Sequence, residues 1–396
     1  MGKKVFIAMS GGVDSSVAAL LLKRERYDVT GVFMRCYNID GCAERDAEDA
    51  RRVAGRLKIP FYVWDFEKEY KRRVVEYMVR GYRQGITPNP DVMCNREIKF
   101  GLFLKRALLL GADYVATGHY VRLRRTATRN KEQGTRKSAM SHVPCPMSLF
   151  VARDKNKDQS YFLWTLTQEQ LRHCLFPIGD YVKPEVRKIA ARVGLSTADK
   201  KDSQGICFLG KFSLKDFLRK RIRCKKGKVV TTSGVFVGEH DGAAFYTIGQ
   251  RRIGVANRGL SLTERGTTRK DFKPFYVADK DIKTNTLIVA EGEKSPALYK
   301  REVLLKDVNF IDSHFKLKAR SLKLPVLARV RYRQPLVEAA LVISKSKLVN
   351  KKHHSSITNC QLRFSSPIKF IAGGQSAVFY SRKGELLGGG VITRGD

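Results

Sequence analysis

Val5-Phe6-Ile7-Ala8-Met9 is an unbroken apolar run that stops at Ser10-Gly11-Gly12-Val13-Asp14-Ser15. A short run of this kind marks a strand covered on both faces. From Asp14 the residues Val17, Ala18, Leu20, Leu21 and Leu22 recur at helical spacing, and Asp28 leads into a second apolar strand, Val29–Met34. Strand, glycine turn, helix, strand is a unit that commits the chain to parallel pairing with a crossover. The pattern recurs with a helix over Glu44–Leu57, a strand at Phe61–Trp64, helices on either side of Asn89–Cys94 and a strand at Tyr114–Ala116. The expected fold is therefore an α/β, doubly wound parallel sheet.

This order breaks at the basic tract Arg122–Met147, read as a solvated loop, and resumes as helical spacing over Asp158–Leu175 and Lys183–Val193. A second basic block, Lys211–Lys228, carries a net charge of +8 and spaces its apolar residues as an amphipathic, phosphate-facing helix would. Beyond it the text turns to short runs rich in β-branched and aromatic residues: Val229–Val237, Ala244–Ile248, Pro274–Val277, Thr286–Ala290, Val326–Tyr332, Ala339–Ile343 and Ser376–Tyr380. Such runs, broken by glycines, predict barrels or sandwiches. Boundaries near Phe208 and Asp279 give three domains: a catalytic domain over 1–208, a small β-rich middle domain over 209–279 and a C-terminal β-barrel over 280–396.

Charge narrows the partner. The chain has 396 residues and a formal net charge of +38, yet 43% of it is apolar, so disorder is excluded and a polyanion is the natural ligand. No apolar stretch approaches the roughly 20 residues that span a bilayer, and the first residues resemble neither a signal peptide nor a myristoylation site. The expectation is a cytoplasmic, monomeric protein. Its eight cysteines are scattered and lack zinc-knuckle spacing, which argues against a disulfide framework or a metal site.

The turn at 10–15 aims backbone N–H groups and a positive helix end at one point, with Ser10 and Ser15 as further donors, which makes it a phosphate site. It has no lysine and is not a Walker loop. Two cysteines stand apart from Cys36, Cys145, Cys174, Cys224 and Cys360, which read as small buried hydrophobes. Cys94 ends the proline-stiffened Thr87-Pro88-Asn89-Pro90-Asp91-Val92-Met93-Cys94 near a helix N-terminus, and Cys207 follows Lys200-Lys201-Asp202-Ser203-Gln204-Gly205-Ile206. Both contexts favour thiolate, and two thiolates brought together suit persulfide or disulfide exchange.

The loop resembles that of the PP-loop ATP pyrophosphatases. The series Thr87–Gly101, Ala116–Tyr120, Asn156–Phe162, Lys201–Phe208, Tyr246–Arg251, Arg331–Gln334 and Gly374–Tyr380 resembles bacterial tRNA-specific 2-thiouridylases almost end to end. The resemblance implies that Ala8, Met9, Ser10, Gly11, Gly12, Val13, Asp14, Ser15, Met34 and Gly118 hold ATP, with Mg²⁺, and that Asn89, Pro90 and Asp91 meet the target base. It implies Cys94 as nucleophile, Cys207 as persulfide carrier and Asp91 as proton handler. His119, Lys157, Asp158, Gln159, Arg331, Tyr332 and Gln375 would touch tRNA, and sulfur would come from a donor such as a cysteine desulfurase or a relay protein. The implied reaction adenylates the wobble uridine 2-oxygen. Persulfide then attacks directly, or Cys94 first releases hydrosulfide. The sequence departs from the family at Arg252–Asn257 and at Gly373. The rival readings are a PP-loop enzyme with an amine nucleophile, such as lysidine synthetase, and a non-catalytic RNA-binding protein.

Overall fold

A computed structural model describes residues 2–37, 41–125, 146–202, 213–251, 253, 273–311, 323–343 and 360–393. Cys207 lies outside the described residues, as do Arg252 and residues 254–257, most of the basic tract at 122–147, and 344–357.

The first part of the chain is a five-stranded parallel sheet. Its strands are β1 (Lys4–Ala8), β2 (Asp28–Arg35), β3 (Phe61–Asp65) and β4 (Tyr114–Thr117), and beyond a separate hairpin, β5 (Val121–Arg125) and β6 (Met147–Val151), the two-residue β7 (Cys174–Leu175). The order is β3-β2-β1-β4-β7. Successive β1 side chains feed opposite cores: Val5, Ile7 and Met9 join one, Phe6 and Ala8 the other. This is why that strand reads as a continuous apolar run. The helix α1 (Val13–Arg24) covers one face with the helix Lys183–Val193, and helical residues 67–83 and 90–109 enter the core on the other. The doubly wound expectation holds.

Some local readings change. Arg122, Arg124 and Arg125 lie on β5 rather than in a loop, because their backbone pairs antiparallel with Phe150, Ser148 and Met147 of β6; the Arg122 side chain donates to the Val151 carbonyl and Arg124 pairs with Asp180. Residues 158–175 hold only a single helical turn, Ser160–Phe162, and a one-turn helix, Gln168–Leu171, with a Thr167–Gln170 capping box, before the chain enters β7. The amphipathic helix shrinks to Leu214–Arg219: Ser213 caps its start, Gly227 opens a strand, and Lys215 and Arg219, at the surface, both pair with Asp241. Ala244–Ile248 is not a strand; Ala243–Phe245 forms a 3₁₀ turn.

The middle sheet comprises β8 (Gly227–Thr231), β9 (Phe236–His240), β10 (Phe275–Asp281) and β11 (Thr286–Glu291), in the order β10-β11-β8-β9. The run read as Val229–Val237 is thus a hairpin turned at Gly234, whose φ is +86°. Strand β10 crosses the boundary expected at 279, and the sheet continues to Glu291. The C-terminal unit is a closed barrel of β12 (Tyr299–Phe310), β13 (Leu324–Arg329), β14 (Val337–Ile343), β15 (Cys360–Lys369), β16 (Ser376–Tyr380) and β17 (Leu386–Ile392).

Barrel and sheet domain are joined by a buried ion pair. Arg329 on β13 reaches Asp158, whose carboxylate also accepts from the Ala152 and Ser160 backbone N–H groups and the Ser160 hydroxyl; the two side chains are 8% and 4% exposed. Removing one partner strands the other charge in the interior. Arg329→Met should destabilise the protein by about 3 kcal/mol, read as a lowered denaturation midpoint.

Candidate nucleotide site and three-domain junction

The glycine turn sits at the carboxyl end of β1, where the chain order reverses between β1 and β4, the usual ligand crevice of an open parallel sheet. Gly11 has φ +70°, and a Cβ there would stand 2.3 Å from the Asp46 carbonyl oxygen, so only glycine lets the turn pass the Cys42–Leu57 helix. A Cβ on Gly118 would stand 2.7 Å from the Ser15 nitrogen, which fixes how closely the end of β4 approaches the turn. Ser15 accepts from the Ser10 N–H at 3.1 Å and lies 3.3 Å from the Ser10 hydroxyl. Ala8, Met34 and Gly118 stand at or just past the ends of β1, β2 and β4. Ala8, Met9, Val13 and Ser15 are buried; Ser10 is exposed, and Gly12, Asp14, Met34 and Gly118 are half-buried.

Asp14 is the anomaly of an anion site, a carboxylate within the turn. It accepts from the Tyr120 hydroxyl at 2.8 Å and pairs with Lys183 Nζ at 2.8 and 2.9 Å. Burial and the adjacent Asp14 push the Tyr120 phenol up, so it stays a donor. Lys183, a residue the sequence reading missed, is 8% exposed and supplies the cation that the loop itself lacks. Its ammonium also meets Asp202 at 2.7 Å, and Asp202 further binds Lys157 at 2.6 Å and Arg187 at 3.0 Å. Burial alone would raise the Asp202 carboxyl, but hydrogen bonds and charge from Lys157 and Lys183 bring it down to about 2. Lys200 is tied to Asp46 and Asp49 of the Cys42–Leu57 helix. No group of three potential metal ligands stands together among the described residues, and Asp14 already has its partners.

The proline-stiffened loop is held by all three domains. Thr87 N–H donates to the Gly373 carbonyl at 2.8 Å, a bond that needs no side chain at 373. Gln375 Nε2 donates to the Thr87 carbonyl at 2.8 Å, and the Thr87 and Thr247 hydroxyls meet at 3.3 Å. Asn89, 8% exposed, caps the next helix by accepting from Val92 N–H, with Pro90 at its first position and Asp91 in its first turn. Cys94 falls a turn further in, 5% exposed, within the apolar core rather than at the helix tip. Burial raises the Asp91 carboxyl, with Lys99 opposing. Arg331 donates to the Ile248 carbonyl, and Tyr332 packs on Phe162 at 4.5 Å between ring centroids. Thus Thr87, Thr247, Arg331, Tyr332 and Gln375, from four separate sequence motifs, meet at one junction.

Several residues expected to touch tRNA have internal partners. Asp158 is in the buried ion pair with Arg329, Gln159 binds the Tyr120 N–H, and His119 is 6% exposed between Phe100 and Phe176. Burial, with Lys99 adding to it, holds the His119 imidazole well below its ordinary range, hence neutral. Lys157 lines a cleft of about 700 Å³ with Lys155, Arg333 and Gln334, between sheet domain and barrel. Cys174 and Cys360 are 1% exposed, and burial raises both thiols, Cys360 to about 12.

A doubly wound sheet with a glycine turn at its switch point, docked to a β-barrel in a chain of formal net charge +38, has the architecture of a nucleotide-binding enzyme. The chain matches the family described as "tRNA methyl transferase HUP domain" over residues 3–211, "tRNA methyl transferase PRC-barrel domain" over 215–291 and "Aminomethyltransferase beta-barrel domain" over 300–392. It is 42% identical to the tRNA-specific 2-thiouridylase MnmA of Lactobacillus gasseri, covering 99% of this chain and 95% of that protein. It is likewise 42% identical to that of Legionella pneumophila, covering 100% and 99%. The chain belongs to the tRNA-specific 2-thiouridylase family. No helix among the described residues is long and apolar enough to cross a membrane.

If Lys183 neutralises the turn, Lys183→Met should weaken ATP binding about tenfold by leaving Asp14 to repel phosphate. Lys183→Arg should recover much of it, as measured by nucleotide titration.

Proposed function

We propose that the protein replaces the 2-oxygen of the wobble uridine of tRNA with sulfur at the expense of ATP, using Cys94 and Cys207. The uridine 2-oxygen is a poor leaving group, so it must first become an adenylate, with pyrophosphate released against the amides of the turn at 10–15. Sulfur carried as a persulfide on Cys207 then attacks C2, either directly or as hydrosulfide released by Cys94. AMP departs; in the direct route the Cys94 thiolate then attacks the Cys207 sulfur and breaks its bond to the transferred sulfur, so that either route leaves a Cys94–Cys207 disulfide. Asp91, whose carboxyl is raised by burial against the opposing charge of Lys99, stands three residues before Cys94 and is the proton handler of this scheme.

The observation that carries this reading is the anchoring of Asp202. It is ion-paired to Lys183, which itself grips the nucleotide turn, and Cys207 is only five residues further along. Five residues span no more than about 18 Å even when extended. The Asn95 Oδ1 next to Cys94 supports it further: it is buried without a hydrogen-bond partner, a deficit that a donor on the base would relieve. The cleft lined by Lys155, Lys157 and Arg333 suits RNA phosphates. A tRNA substrate and an external sulfur donor complete the proposal.

Mass spectrometry of tRNA incubated with ATP and a sulfur source should show an oxygen-to-sulfur exchange at the wobble uridine. Cys207→Ser should abolish that exchange while tRNA still binds; amine incorporation instead would decide for a lysidine-synthetase-like enzyme. The tRNA affinity should fall about tenfold or more between roughly 50 and 200 mM salt, measured by anisotropy.

A further inference from the structure

Gln375 was expected, by resemblance, to touch tRNA, but its amide nitrogen faces inward. Nε2 lies 2.8 Å from the Thr87 carbonyl oxygen and 3.4 Å from that of Pro88. The residue that carries it is rigid: Gln375 N–H donates to the Ala372 carbonyl, its own carbonyl accepts from Ile392 N–H, and β16 begins at the next position. Gly374 beside it has φ +90°, and a Cβ there would lie 3.0 Å from Ile86 Cβ and from the Thr87 carbonyl carbon. The barrel thus presses directly on the stretch that leads into Asn89-Pro90-Asp91.

That stretch has little freedom of its own to dissipate a displacement. Pro88 and Pro90 hold their φ angles near −65° and keep Thr87 and Asn89 extended. The Pro88 ring is seated against Gly81, where any Cβ would come within 2.8 Å of it. Thr87 precedes Asp91 by four residues and Cys94 by seven. A shift at Thr87 is therefore passed along a stiff segment to the residues proposed to meet the base, and misplacement of about an ångström can lower a rate a hundredfold.

We propose that Gln375 is a positioning residue for the reaction on the target base: it sets the pose of Asn89–Asp91 through Thr87 and contributes little to tRNA affinity. This rests on the reading that Asn89–Asp91 meet the base. It assigns the C-terminal barrel a part in turnover and not only in holding RNA.

The test compares wild type with Gln375→Leu, which keeps bulk and loses both donors. Single-turnover thiolation at saturating tRNA and ATP is followed by mass spectrometry, and tRNA Kd by anisotropy. The expected result is a rate lowered about tenfold, with Kd within about twofold of wild type and an unchanged melting temperature. Thr87→Val, which removes only the hydroxyl link to Thr247, should lower the rate about threefold and also spare Kd. A Kd raised tenfold with the saturated rate intact would identify Gln375 as an RNA contact and overturn the proposal. So would an unchanged rate and Kd, or a rate loss matched by a fall in melting temperature. Wild-type enzyme that leaves tRNA unthiolated would instead overturn the functional reading, independently of either variant.

Discussion

An anion-binding turn that carries a carboxylate of its own works only if that negative charge is answered, and here a nearly buried lysine 169 residues away in sequence answers it. Lys183 joins Asp14 of the turn to Asp202, and Asp202 is shared with Lys157 and Arg187. The glycine turn, the side of the inter-domain cleft lined by Lys157 and the start of the segment leading to Cys207 are thereby joined by alternating charges. Buried or half-buried pairs of this sort are weak stabilisers but strong constraints on geometry, since breaking one leaves an uncompensated ion.

Around this network the three domains behave as one site. The loop before Cys94 takes hydrogen bonds from the barrel and touches the middle domain, while Arg331 of the barrel holds the Ile248 carbonyl of the middle domain. Phe370 packs so closely on Gly249 that no side chain fits there. A base taken from a stacked anticodon must be received by a closed, preformed pocket, and stiffness imposed from several sides is one way to obtain it.

The sequence reading was accurate where a physical signal is local. The alternation of buried strands and helices, the glycine turn and the helix that starts after the proline-stiffened loop all follow from backbone conformation and short-range periodicity. It erred where charge or composition stood in for contacts. Lys215 and Arg219 look like a phosphate-facing stripe in sequence but share Asp241, and Arg122 and Arg124 look like loop residues although their backbone pairs with β6 and their side chains find a carbonyl and a carboxylate. The barrel strands at Tyr299–Phe310, Cys360–Lys369 and Leu386–Ile392 were overlooked because charged or glycine-rich outward faces dilute their apolar pattern.

By itself the sequence determined the parallel sheet, the phosphate turn, a nucleic-acid-sized excess of positive charge and, through resemblance, the family. These are properties of neighbouring residues or of the whole composition. Only the tertiary structure decided that Lys183 serves Asp14, that Asp158 belongs to Arg329, and that Gln375 holds Thr87 with its amide nitrogen. Each is a contact between side chains or backbone groups more than 150 residues apart, and no periodicity records which distant partner a polar group will find.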